Sequence, residues 1–302
     1  MSGRLKLYDK TQIEKNNLLF DNKALTALLF PLIIEQLLNS FMGMADTMMV
    51  SNVGSAAISA VSLVDSVNML VIQVFSALAT GAAIICSQYI GSRNIKECNN
   101  AARQVVLSVA VISVSLMIIG IIFRYPLLRL IFGSVEADVM DNSLVYFLIT
   151  VCSYPFLALF NVGAAFFRAD GNARYPMTIS VISNIINIIG NAILIFGLSM
   201  GVAGAAISTL ISRIFCMVVV FCSLRKPKQT IVINDILKIR PDMKLIKRVL
   251  SIGIPAGIEN GMFQFGKLAI QSTVSSMGTA AIEAQDMTII LEYVNGIFGI
   301  GV

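Results

Sequence analysis

The sequence has no histidine and no tryptophan, and only 13% of its 302 residues are charged. Without histidine there are no imidazole metal ligands, no imidazole general bases and no HExxH-type sites. No GxSxG, P-loop or CxxC pattern occurs, and no nucleophile–base pairing is visible, so the sequence does not read as an enzyme. A soluble domain carries roughly 25% charged residues. About half that fraction leaves too little polar surface to cover a particle in water. With 57% apolar residues and a mean hydropathy of +0.83, the fitting solvent is lipid.

The five cysteines are Cys86, Cys98, Cys152, Cys216 and Cys222, and all but Cys98 lie in apolar runs. They read as small buried apolar residues. Residues 1–24 are too charged for the apolar core of a signal peptide and read as a cytoplasmic lead-in.

A bilayer-spanning helix needs about 20 mainly apolar residues. Eight stretches qualify: 25–50, 57–85, 101–123, 143–167, 176–197, 202–222, 249–274 and 279–302. The expected fold class is therefore all-α, a polytopic membrane helix bundle. Most connections are short. The longer polar stretch 225–248, with Pro227 and Pro241, reads as a cytoplasmic linker between two bundles.

Basic residues set the expected orientation. With the N-terminus inside, eighteen of the 22 Lys and Arg fall on inside segments. Arg124 and Arg129 fall outside, beside Glu136, Asp138 and Asp141; Arg213 and Lys267 lie within spans. The net charge of +5 is thus topology rather than nucleic-acid binding. The expected location is the plasma membrane, with the N-terminus cytoplasmic.

The chain also repeats itself. Residues 31–60 align without a gap on residues 255–284, pairing Pro31 with Pro255, Glu35 with Glu259 and Gly54 with Gly278. Both copies start on the inside, so the repeat is parallel, a transporter architecture. The expected organisation is a first six-helix lobe over 25–224 and, over 249–302, the first two helices of a second. On this reading the chain is truncated after about eight transmembrane helices, with four more implied.

Ionisable and amide residues inside spans are expensive, so they are functional candidates. The first stretch carries Glu35, Asn39 and Asp46, which share one helical face. At 1.5 Å per residue, Glu35 and Asp46 are about 16 Å apart along it. The fifth carries Ser180, Asn184, Asn187 and Asn191; the seventh carries Asn260, Gln264, Lys267 and Gln271. These stripes face other helices or a water-filled cavity, and they serve either as interhelical hydrogen bonds or as a site. A carboxylate beside amide oxygens suits Na⁺, and the same carboxylate can take a proton. Asp46, Asn184, Asn187 and Asn191 are the coupling candidates, with Na⁺ at Asp46, Asn187 and Asn191. Glu35, Asn39, Glu259, Gln264, Lys267 and Arg213 are cavity or coupling candidates, and Arg213 and Lys267 also serve as neutralising partners. Asp65 in the second stretch either faces water or pairs. Pro31 marks either a kink or a helix start. The 15 methionines line an adaptable cavity or face lipid.

Several segments together resemble one family. They are Met44–Gly54, Ser87–Gly91, Phe167–Met177, Asn187–Gly197 with Gly201–Ala206, and Ile254–Glu259. In order and spacing they are similar to the multidrug and toxic compound extrusion (MATE) family. The resemblance implies two six-helix lobes, a V-shaped central cavity and export driven by Na⁺ or H⁺. It places the first-helix aspartate on Asp46, the first-helix proline on Pro31 and the fifth-helix polar pair on Asn187 and Asn191. Some members have Asp where this chain has Asn191. Some carry an acid where this chain has Phe263, the acid here being Glu259.

The expected function is antiport of organic, often cationic, compounds against Na⁺ or H⁺. No cofactor is expected beyond that ion. The expected partners are small organic molecules and membrane lipid, with no nucleic acid, and the full-length protein is expected to be a monomer. The alternatives are a lipid-linked oligosaccharide flippase and a truncated, non-transporting fragment. The charge bias makes a direct prediction. Single cysteines at 168–175 and 225–248 should react only with permeant reagents, and those at 124–142 with impermeant reagents from outside. Outside labelling of the 225–248 segment reverses the orientation.

Overall fold

The structure is a computed structural model that describes residues 22–133, 135–227, 229–233, 242–285 and 287–289. Every regular element among the described residues is helical. In chain order these are α1 (Asn22–Ser51), α2 (Ser55–Gly91), α3 (Ile95–Ile122), α4 (Arg124–Phe132), α5 (Ala137–Cys152), α6 (Tyr154–Ala169), α7 (Arg174–Asn191), α8 (Gly201–Leu224) and α9 (Met243–Ser275). A π-helical stretch, Ala192–Gly197, continues α7, and 279–285 and 287–289 are helical again. Among the described residues four helices are long and apolar enough to cross a membrane, or five counting the bent α5–α6 pair.

Helix α7 shows what solvent the fold is built for. Its buried residues include Ser180, Ser183, Asn184, Asn187 and Asn191. Ile182, Ile185, Ile188 and Ile189 are exposed. A helix in water buries the opposite face. Polar-in and apolar-out is the stable arrangement when the surroundings are hydrocarbon and cannot hydrogen-bond.

Two expectations shift. The stretch 143–167 is not one straight span, because α5 and α6 meet at Ser153 with a 44° bend. Pro155 is the cause: it lacks an N–H, and its ring clashes with the carbonyl four residues back. Pro31 lies ten residues into α1, so the helix-start reading does not hold for it. Between α3 and α5 the loop also forms α4, which buries Leu128 and Phe132.

The repeat reappears in the backbone. α1 ends at Ser51 and α9 at Ser275, the same register that pairs Pro31 with Pro255. Ser51 Oγ donates to the Met48 carbonyl at 2.7 Å, and Ser275 Oγ to the Ser272 carbonyl at 2.7 Å. The next helix starts after a glycine in each case, Gly54 with φ 138° and Gly278 with φ 98°. Side chains rarely adopt these angles, which is why glycine occupies both places. The Ala57 and Ala281 amides then bond the two glycine carbonyls at 3.2 Å alike.

α9 packs along α2. A Cβ on Gly81 would lie 2.8 Å from the Val249 carbonyl, and one on Gly253 would lie 2.9 Å from the Ala77 carbonyl. Small residues let these backbones touch, as membrane helices without a hydrophobic drive require. Further along, Gln271 Nε2 donates to Ser62 Oγ at 3.3 Å, and Ser275 Oγ donates to the Phe132 carbonyl of α4 at 3.4 Å. Part of the expected linker is also ordered. Asn99 Oδ1 accepts from the Val232 amide at 2.9 Å, and Ile231 and Ile233 are buried. Asp242 caps α9, accepting from the Lys244 amide at 2.9 Å.

The α2–α9 approach generates a prediction. Gly81→Val should lower the thermal stability of the purified protein by about 1–3 kcal/mol, because the branch meets backbone rather than a side chain that can turn away. Gly91→Val, which has nothing within 4 Å, is the control and should change little. Equal melting of both variants refutes the close approach.

Candidate cation site

The site is assembled on α1. Its Asp46 is half-buried and accepts a hydrogen bond at Oδ1 from Asn191 Nδ2 of α7. The same Nδ2 lies 3.2 Å from Asn187 Oδ1, one turn earlier. Asn187 Nδ2 donates in turn to Thr209 Oγ1 of α8 at 3.2 Å, and Ser208 Oγ donates to the Asn187 carbonyl at 2.8 Å. Asn187 and Asn191 are fully buried. They reach each other because four residues make nearly one turn, and α8 comes close enough because Gly190 and Gly204 carry no side chain there. The result is one carboxylate met by an amide N–H, with a chain of amide and hydroxyl groups from α7 and α8 behind it; a carboxylate with amide and hydroxyl oxygens in reach suits a hard monovalent cation. The Asn191 Oδ1 atom is buried and has no hydrogen-bond partner.

A second polar layer sits nearer the start of α1. Arg168 Nη2, at the end of α6, lies 2.8 Å from both Glu35 oxygens, and Ser180 Oγ donates to Glu35 Oε1 at 3.4 Å. Glu35 is therefore neutralised by Arg168, which the sequence places in a loop.

Arg213 of α8 donates from Nη1 to Ser153 Oγ at 2.5 Å, at the α5–α6 bend. Asn184 is buried, with its Nδ2 unpartnered, and takes no part in the Asp46 cluster. Gln264 and Lys267 are half-buried on α9, with Lys267 Nζ 5.1 Å from the Phe263 ring centroid. The side chains of Asn39 and Glu259 lie outside the described residues.

Asp65, which the sequence left either facing water or paired, is paired, in a network whose other members the sequence did not give. Tyr146 OH of α5 donates to Asp65 Oδ1 of α2 at 3.3 Å, and Asn68 Nδ2 lies 3.0 Å from the same atom. Tyr154 OH donates to Asn68 Oδ1 at 2.7 Å. The available signal was the pair Asp65 and Asn68, one turn apart in an apolar helix. Thr209 was also missed, since a lone threonine in an apolar run carries no pattern.

Comparison with known proteins places this arrangement. The MatE family profile matches residues 31–193, more than half of the chain. The chain belongs to the MatE family. It is 29% identical over 278 residues to the uncharacterized transporter YisQ of Bacillus subtilis (strain 168), covering 88% of this chain and 58% of that protein. It is 27% identical over 269 residues to the probable multidrug resistance protein YoeA of the same strain, covering 87% and 58%. A crystal structure of MATE in the bent conformation superposes with a TM-score of 0.80 at 22% identity, over 92% of this chain and 62% of that one. The fold is shared with that structure, and this MatE chain is an integral membrane protein. It spans under two-thirds of the length of these relatives.

The Glu35–Arg168 pair in this MatE chain can be tested directly. Removing one partner of a buried pair costs about 3–5 kcal/mol. Arg168 is partly exposed, at 36% of its side chain, so the lower end applies. Arg168→Met should therefore destabilise the detergent-solubilised protein, and adding Glu35→Gln to it should restore most of the loss. A double variant as unstable as the sum of its parts would show that the two side chains are not coupled.

Proposed function

We propose that this chain is the cation-binding first lobe, with the start of a second lobe, of an exporter of organic compounds driven by Na⁺ or H⁺. The observation that carries the reading is the Asp46 carboxylate held among Asn191, Asn187 and Thr209 inside a membrane helix bundle. The name of the related YoeA, a probable multidrug resistance protein, supports drug-like organic substrates. The lobes are residues 25–224 and 249–302, joined by 225–248. The protein sits in the plasma membrane with its N-terminus cytoplasmic, and when full length it acts as a monomer on small organic molecules.

The mechanism follows from the cost of an unpaired charge. A buried charge without a partner costs several kcal/mol, which is enough to bias two conformations of one protein. Binding of Na⁺ or H⁺ at Asp46 neutralises that charge and lets α1 repack against α7. Pro31 is the point where α1 bends most easily, because the backbone bond that proline removes is already missing there. Asp46 and Glu35 hold the two halves of α1 against the same lobe, so a change at Asp46 reaches the outer half while the Glu35–Arg168 pair anchors the inner one. Cation and substrate then compete through one conformational equilibrium, and exchange results.

The test is efflux of a cationic dye from proteoliposomes with an imposed ion gradient. Asp46→Asn should abolish gradient-driven efflux at normal protein levels. Asn191→Ala should reduce it less, since a neutral ligand contributes less than a charge. Uphill efflux by Asp46→Asn at the wild-type rate assigns coupling elsewhere.

A further inference from the structure

The end of the bundle where α2 stops and α3 and α9 start carries a cationic surface that the Asp46 site does not use. Arg93 and Lys96, at the α2–α3 turn, and Lys244, Lys247 and Arg248, in the first two turns of α9, are all exposed. Hydrogen bonds bring these segments together. Arg248 Nη2 donates to Gln88 Oε1 in the last turn of α2 at 3.2 Å. The Ser92 amide bonds the Gln88 carbonyl at 3.0 Å, and Arg93 follows it. The Asp242 amide, at the cap of α9, donates to Gln104 Oε1 of α3 at 3.0 Å. Gln88 fixes Arg248 without neutralising it, and among the described residues none of the five cations is in an ion pair. The acids of these segments are Glu97 and Asp242, and the Asp242 carboxylate already accepts from the Lys244 and Leu245 amides. Lys244 sits in the first turn of α9, against the helix dipole, with no acid there to offset it. An anion placed alongside meets both the lysines and the positive end of that dipole.

Further along α9 the same face turns apolar. Ser251, Ile254 and Ile258 lie four, seven and eleven residues after Lys247, on one stripe of the helix. Ile254 is 51% exposed and Ile258 57%. Met243, beside Lys244, is 71% exposed. From Lys247 to Ile254 the helix rises about 10 Å. We propose that this surface binds an anionic phospholipid. Its phosphate lies on Lys244, Lys247 and Arg248, Arg93 and Lys96 add to the positive field, and an acyl chain runs over Ile254 and Ile258. A cationic patch that continues into an exposed apolar stripe matches a lipid, whose charged head and apolar chains are joined. A free phosphate would use the cations and leave the stripe unmatched. The proposal stands apart from the reading of Asp46 and does not depend on it.

The chain has no tryptophan, so a single introduced one reports its own surroundings. The test places Ile254→Trp in the purified full chain in phosphatidylcholine bilayers and quenches it with dibrominated phosphatidylglycerol or dibrominated phosphatidylcholine. The ratio of the two binding constants should favour phosphatidylglycerol at least about tenfold, since each basic residue near an anionic lipid contributes about fivefold. Added salt should lower the ratio. Lys244→Gln, Lys247→Gln and Arg248→Gln together should bring it close to one, and Lys244→Arg with Lys247→Arg should keep it. Ile119→Trp, near the far end of α3 and 50% exposed, is the control. Its ratio should stay near one in every background, and its quenching shows that the triple variant is inserted. A ratio near one for Ile254→Trp with all five cations present overturns the proposal. So does a preference that the triple variant leaves unchanged. Absence of quenching by either lipid means that protein covers this face, and overturns it too. Loss of the preference on adding inorganic phosphate, beyond the effect of chloride at equal ionic strength, assigns the cations to free phosphate and overturns the lipid.

Discussion

A carboxylate buried in a lipid-embedded bundle must be met by donors from neighbouring helices, because the solvent offers none. Much of this structure follows from meeting that requirement at Asp46. Asn191 reaches it from α7 and Asn187 backs Asn191. Thr209 and Ser208 then fix Asn187 from α8. To present these groups, α7 turns its asparagines inward and its isoleucines to lipid. To let α8 come close enough, Gly190 and Gly204 carry no side chain at the contact.

The same solvent explains how the helices cohere without a hydrophobic drive. Close approach replaces it. At α2–α9 the contact is backbone on backbone through Gly81 and Gly253. Further along the same pair, hydroxyls and amides take over, with Gln271 on Ser62 and Ser275 on the end of α4.

Prolines and polar pairs divide the work along α1 and α6. Pro31 weakens α1 in its first half, and the Glu35–Arg168 pair pins the turn just beyond it. Pro155 breaks the α5–α6 span, and Ser153 at the break meets Arg213. In both places a missing backbone bond sits next to a charge with a defined partner. At α5–α6 the chain bends where Ser153 holds Arg213.

Much of this was legible from the sequence alone. Composition settled the solvent, and helical periodicity put Asp46, Asn187 and Asn191 on inward stripes. The paired prolines and glycines gave the repeat, which returned in the matched φ angles and caps of Gly54 and Gly278. Those features are local: they depend on about 100° of turn per residue and on which residues tolerate a given backbone. Which stripes meet depends on long-range packing, and the sequence carries no comparable signal for it. So Arg168 rather than Arg213 or Lys267 neutralises Glu35, a lone Thr209 completes the asparagine pair, and Asp65 is met by Tyr146 from α5. A polar side chain in a span announces that it needs a partner, but only the packed bundle decides which one it finds, because the partners lie on helices far apart in the chain.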